Sequence, residues 1–156
     1  MNTKPNLEQL LEAEDTNSSI IKLDDYICEL CSWGEKMDAL SQPQKLFFFN
    51  QNLEREINNG GFNQFYYNSS GDFAHETVES LNAIGADKTA EILKKANGQF
   101  PNQTVPKDRA ERQEIVEQIE EEANVVWEEL DQQFFDYEDD LNSINLEFVR
   151  KNKSFF

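Results

Sequence analysis

Residues 111–137 read ERQEIVEQIEEEANVVWEELDQQFFDY, and two patterns run through them together. Ile115, Ile119, Ala123, Val126, Trp127, Leu130 and Phe134 recur at steps of three and four, which lines an apolar stripe along one side of an α-helix. The positions between them are carboxylates. From Glu111 to Glu147 fourteen acidic residues stand against one base, Arg112, so this stretch carries −13 of the chain's net −17. Charge alone would read as disorder. The stripe instead predicts a folded helix that holds a dense row of anions in water, at a cost in self-repulsion.

Outward from that helix the breakers divide the chain. Ser18 or Ser19 is expected to cap a first helix that reaches Trp33 and stops at Gly34. Ser41 and Pro43 open a second, with Leu46, Phe49, Leu53 and Ile57 as its buried stripe, and Asn58-Asn59-Gly60-Gly61 ends it. Residues 62–68 form a short aromatic turn of helix. Asp72 is read as the cap of the next helix, which runs to Gly85, and another runs from Asp87 to Asn97-Gly98. A loop with two prolines, residues 100–106, precedes the acidic helix, and a shorter helix covers residues 141–149. No period-two alternation signals a strand. The reading is all-α: a single-domain bundle of about six to seven helices with a long acidic C-terminal helix. Residues 1–17 are expected to be a flexible N-terminus, and residues 18–156 the helical domain.

At 156 residues one core suffices, and twelve Phe, four Tyr and two Trp offset a hydrophobic fraction of 38%. A sequence pI near 4.3 argues against direct binding to nucleic acid or anionic lipid and points to basic partners. No apolar run has membrane-spanning length and residues 1–11 lack a signal-peptide core, so a cytoplasmic protein is expected. Cys28 and Cys31 lie inside a helical pattern beside Asp24, Asp25 and Glu29, which reads as two small core residues rather than a redox pair.

Catalytic signatures are missing: the chain has no phosphate loop, nucleophile elbow or zinc-protease motif. His75, the single histidine, shares a helix face with Asp72, Glu76 and Glu79, where the acids suit a helix start better than a metal. No enzyme, cofactor or metal is expected. The aromatic runs Phe47-Phe48-Phe49, Phe65-Tyr66-Tyr67, Phe134-Phe135 and Phe155-Phe156 point in several directions, so they wedge between helices or form part of a subunit contact, with a homodimer as one outcome.

The acidic helix offers a more specific reading. A phosphate strand of B-DNA carries one charge per about 3.4 Å, and an α-helix rises about 5.4 Å per turn. One carboxylate per turn therefore approaches the charge density of a phosphate strand. Glu114, Glu117, Glu121, Glu128 and Asp131 lie along such a row. Glu111 flanks it, and Asp136, Asp139 and Asp140 extend it. Together these nine are the candidate partner-binding residues, and the expected partner is a basic DNA-binding protein.

Residues 57–72, INNGGFNQFYYNSSGD, followed by Glu76-Thr77-Val78 and Ala83-Ile84-Gly85-Ala86, resemble the signature of a small bacterial domain family. That family was first catalogued as a domain of unknown function and includes a DNA-mimic protein. The resemblance is close over residues 44–100. It implies an all-helical, often dimeric fold whose acidic surface imitates duplex DNA and engages a transcription regulator. The signature residues Asn59, Gly60, Gly61, Phe62, Gln64, Phe65, Asn68, Ser69, Gly71 and Asp72 are read as structural, supplying helix ends, a cap and packing. A second reading of the same acidity is an immunity or antitoxin protein that neutralises a basic nuclease.

Overall fold

The computed structural model describes residues 3–156, which form seven α-helices and, among the described residues, no strand. These are α1 (Leu7–Glu12), α2 (Thr16–Leu30), α3 (Gln42–Tyr67), α4 (Ala74–Ile84), α5 (Asp87–Asn97), α6 (Arg109–Phe135) and α7 (Leu141–Lys151). Short 3-10 turns fill several of the connections. The all-α, single-domain reading holds. The long acidic helix is α6, with 27 residues, but it is not the C-terminal one. That place belongs to α7, of 11 residues, with Arg150 and Lys151 in its last turn.

Helix α3 organises the rest. It packs against α2 and α7 on one side and against α4 and α6 on the other, and so passes through both hydrophobic clusters. One cluster joins Leu23 and Ile27 of α2, Phe47 and Phe48 of α3, and Val149 of α7. The other joins Leu53, Phe62, Phe65 and Tyr66 of α3 to Leu81, Leu93, Trp127 and Leu130. Tyr66 lies at its centre, its ring 5.0 Å from Trp127 and 4.8 Å from Phe100, its hydroxyl donating to Asn97 Oδ1 at 2.6 Å. Trp127 donates to the Ala96 carbonyl at 3.1 Å, so neither ring buries an unpaired polar atom. The run Phe47-Phe48-Phe49 wedges between helices, all three rings buried, whereas each of the other runs leaves one ring exposed: Tyr67, Phe135 and Phe155.

Several boundaries differ from the sequence reading. Order starts ahead of residue 18: Asn6 caps α1, which buries Leu10 and Leu11, and Asp15 rather than Ser18 or Ser19 caps α2. The Asn-Gly-Gly run does not end α3. The helix kinks at Gly61 and continues to Tyr67. Asp72 is not the cap of α4 either; it sits in a 3-10 turn and is engaged elsewhere. Cys28 and Cys31 are free and fully buried, and burial together with Asp24 pushes the Cys28 thiol up to about 12. Among the described residues, no helix is long and apolar enough to cross a membrane.

Candidate functional site

The lone base of the acidic stretch explains how α6 is held. Arg112 is fully buried, on the same face as Val116, Ala123 and Leu130. Its guanidinium has five N–H groups, and all five are used. Nε donates to the Tyr66 carbonyl at 2.6 Å. Nη1 donates to the Pro106 and Lys107 carbonyls at 2.9 and 3.1 Å. Nη2 donates to the Asn68 carbonyl at 2.8 Å and to Asp72 Oδ1 at 2.6 Å. The Tyr66 and Asn68 carbonyls belong to the end of α3, where unpaired carbonyls and the negative end of the helix dipole favour a cation.

This arrangement gives the signature a mechanical meaning. A Cβ on Gly71 would come within 2.5 Å of Arg112 Nε and 3.0 Å of the Tyr66 carbonyl, so only glycine lets the guanidinium lie there. Asn68 donates to Glu56 at 3.0 Å, and Gln64 donates to the same oxygen at 2.8 Å, fixing the turn from the other side. Ser69 opens the 3-10 turn that carries Asp72, and Phe62 and Phe65 are wholly buried. Asn59 is exposed, and a Cβ on Gly60 would strike the Gln64 side chain.

A second contact ties α6 to the kink. At Gly61 φ is 74° and ψ −172°, a conformation open in practice only to glycine. Asp131 Oδ1 accepts from the Phe62 N–H at 2.9 Å, capping the resumed half of α3. Burial pushes the Asp131 carboxyl up, against the lowering effect of that hydrogen bond. Asp131 therefore has one carboxylate oxygen committed to the fold. Asp139 is similarly engaged, accepting from the Thr89 N–H and hydroxyl at 2.8 and 3.0 Å. Asp140 accepts from Ser143 N–H at 3.3 Å and caps α7.

The remaining candidates divide by neighbourhood. Glu111, Glu114, Glu117, Glu121 and Glu128 are exposed, and among the described residues none has a lysine or arginine within ion-pair distance. Glu122 and Glu129, also exposed and without an ion-pair partner among the described residues, widen this face. At about 100° per residue Glu114, Glu117, Glu121 and Glu128 fall opposite Arg112, while Glu111, Glu122 and Glu129 flank them on one side. Val125, 71% exposed, lies among them and is the one apolar interruption. Asp136 is exposed but shares a depression with Lys88 and Lys95, where Lys88 also pairs with Glu138 at 3.3 Å. Five of the nine candidate acids thus lie exposed on α6 without an ion-pair partner among the described residues. The period of the sequence also marks Arg112 as inward, four residues before Val116, and that signal was available.

His75 accepts a hydrogen bond at Nε2 from the Val105 N–H at 3.0 Å, which makes it a strut for the proline loop. No curated protein and no solved structure matches the chain at a significant level. A family profile described as "DMP19-like protein" matches residues 38–152, the span from the turn before α3 to the end of α7. It covers both the Arg112 cradle and the whole acidic helix, and the chain belongs to the DMP19-like family.

Proposed function

We propose that the outer face of α6 is a DNA-like surface that occupies the basic DNA-binding face of a partner, a transcription regulator or another nucleic-acid-binding protein, and blocks its access to DNA. The observation that carries this reading is the row Glu114, Glu117, Glu121 and Glu128, with Glu111 at its flank, exposed along one continuous helix and unpaired with any base of the described chain. At about 1.5 Å per residue, α6 is about 40 Å long, the rise of about 12 base pairs. Membership in a family named for a DNA mimic supports the same reading. The role is binding rather than catalysis, and its setting is the cytoplasm, where such partners work.

Attraction between a fixed anionic array and a cationic groove is screened over about 8–10 Å at physiological salt. A tagged chain should therefore capture its partner from native lysate at low salt and release it near 0.5 M. Duplex DNA should compete. Replacing Glu114, Glu117, Glu121 and Glu128 together by Gln should abolish capture with helix content retained. Capture that survives high salt and the fourfold change sinks the proposal. If the captured protein is a nuclease, the surface serves as an immunity module instead of a regulator.

A further inference from the structure

The loop that leads from α5 into α6, residues 100–106, is tied down by the chain's single histidine. Phe100 and Val105 are buried at its two ends. Between them Asn102 and Gln103 have φ of 56° and 55°, the left-handed region that is costly for a residue with a side chain. Gln103 and Thr104 donate back within the loop, to the Phe100 and Pro101 carbonyls at 2.9 and 3.2 Å. Val105 donates out of it, to His75 Nε2 on α4 at 3.0 Å, and Pro106 has no N–H to give. A strained loop therefore leans on an acceptor that exists only while the imidazole is neutral. The next two carbonyls, of Pro106 and Lys107, accept from Arg112 Nη1, so the loop's position passes directly to the start of α6.

The charges around the ring are mostly spent on one another. Asp72, three residues before His75, pairs with Arg112 and Arg109 of α6. Glu76, beside it on α4, pairs with Lys107 of the loop. The Tyr66 hydroxyl of α3, pushed well up by burial, bonds to Asn97 of α5, and the Lys94 and Lys95 side chains of that helix are exposed. Glu79, one turn on from His75 along α4, is exposed and has no ion-pair partner among the described residues. Of these groups Glu79 is left to receive an imidazolium.

We propose that His75 is a proton-operated latch on this loop. With the ring neutral and its proton on Nδ1, Nε2 accepts from Val105 and the loop stays docked. Protonation turns Nε2 into a donor and sets N–H against N–H. The imidazolium then turns to Glu79 and Val105 is released. Histidine is the side chain that changes charge between about pH 5 and 8, and this chain has one. The latch acts on the loop and the first turn of α6, whatever that helix binds.

The test is nitrogen-15 NMR of the full chain from pH 8 to about 5.5, where a single imidazole gives unambiguous ring signals. At pH 8 the ring should carry its proton on Nδ1 and none on Nε2. As pH falls, the ring and the Val105 amide should titrate with one shared midpoint. Protection of Val105 from deuterium exchange, corrected for the intrinsic pH dependence of exchange, should fall about tenfold, the weight of one hydrogen bond. His75→Gln offers an amide oxygen that does not titrate, and should keep Val105 protected across the range. Should that variant fail to fold, the ring tautomer and the shared midpoint in the wild-type chain decide alone. A proton on Nε2 at pH 8, a Val105 that stays protected while the ring ionises, or a His75→Gln chain with the wild-type pH dependence would overturn the latch.

Discussion

The two sides of α6 handle charge in opposite ways. On the inward side Arg112 has every donor filled and Asp131 caps the kinked half of α3. On the outward side Glu111, Glu114, Glu117, Glu121 and Glu128 have no ion-pair partner among the described residues. A charge enclosed by the fold must be satisfied because desolvation is expensive, whereas a charge left in water need not be. One helix can therefore carry both a structural ion and a functional array, and the two should respond differently to substitution.

The inward side should break hardest. Arg112→Ala leaves Asp72 and the carbonyls of Tyr66 and Asn68 without their donor, and should cost about 3–5 kcal/mol in urea unfolding. Arg112→Lys should recover only part of that, since one ammonium has three donors where five are used. If Arg112→Ala unfolds at the wild-type midpoint, the cradle is not what docks α6. Gly61→Ala comes next. It demands φ of 74° from an alanine and puts a Cβ within 2.3 Å of Asp131 Oδ2. Strain and a displaced cap together should cost about 2–4 kcal/mol by the same measurement.

These two positions also show what the sequence made legible. The stripe through α6, the Ser41 cap of α3 and the absence of alternation were enough for the all-α class. The role of the signature was not legible in detail. Asn-Gly-Gly carries the chemistry of a helix stop, and α3 resumes only because Asp131, remote in sequence, caps Phe62. Asp72 precedes a helix as a cap does, yet its carboxylate is drawn to Arg112, a partner 40 positions away. Local chemistry predicts local bonds, and a buried guanidinium outbids them. Charge counting likewise does not reveal that Asp131, Asp139 and Asp140 already hold a backbone N–H.

A cleft between α2, α3 and α7, lined by Asp24, Glu54 and Asp140, supplies an intermediate case that sharpens the comparison. Glu54 is half enclosed, and its pKa is pushed up mainly by burial, with Asp24 and Asp140 adding repulsion and the Tyr137 hydroxyl opposing it; Asp25 and Arg55 also line the space. A carboxyl whose folded pKa lies above its unfolded value contributes stability that is full below the unfolded value and is lost as pH rises through the folded one. Glu54→Gln should therefore be more stable than wild type at pH 7 in urea unfolding, by about 1 kcal/mol. The gain should fade as pH falls toward the ordinary glutamate value of 4.5. A gain that is constant from pH 7 to pH 4 would show that packing, and not the charge, sets the difference.

The outward face should move stability least per residue and binding most. Glu114 repels Glu111 and Glu117 at i,i+3, Glu117 repels Glu120 at i,i+3 and Glu121 at i,i+4, and Glu128 repels Asp131 at i,i+3, each by about 0.2–0.5 kcal/mol. The fourfold change of Glu114, Glu117, Glu121 and Glu128 to Gln should therefore stabilise the fold by about 1–2 kcal/mol, with the gain shrinking as salt is added. Stability and partner capture are then separable readouts of the same four residues. A fold that tolerates the change while capture disappears would mean that the array is maintained for a partner, since the chain itself is better off without it. A loss of more than about 1 kcal/mol would mean that these carboxylates hold structure after all, and the division between the two sides of α6 would collapse.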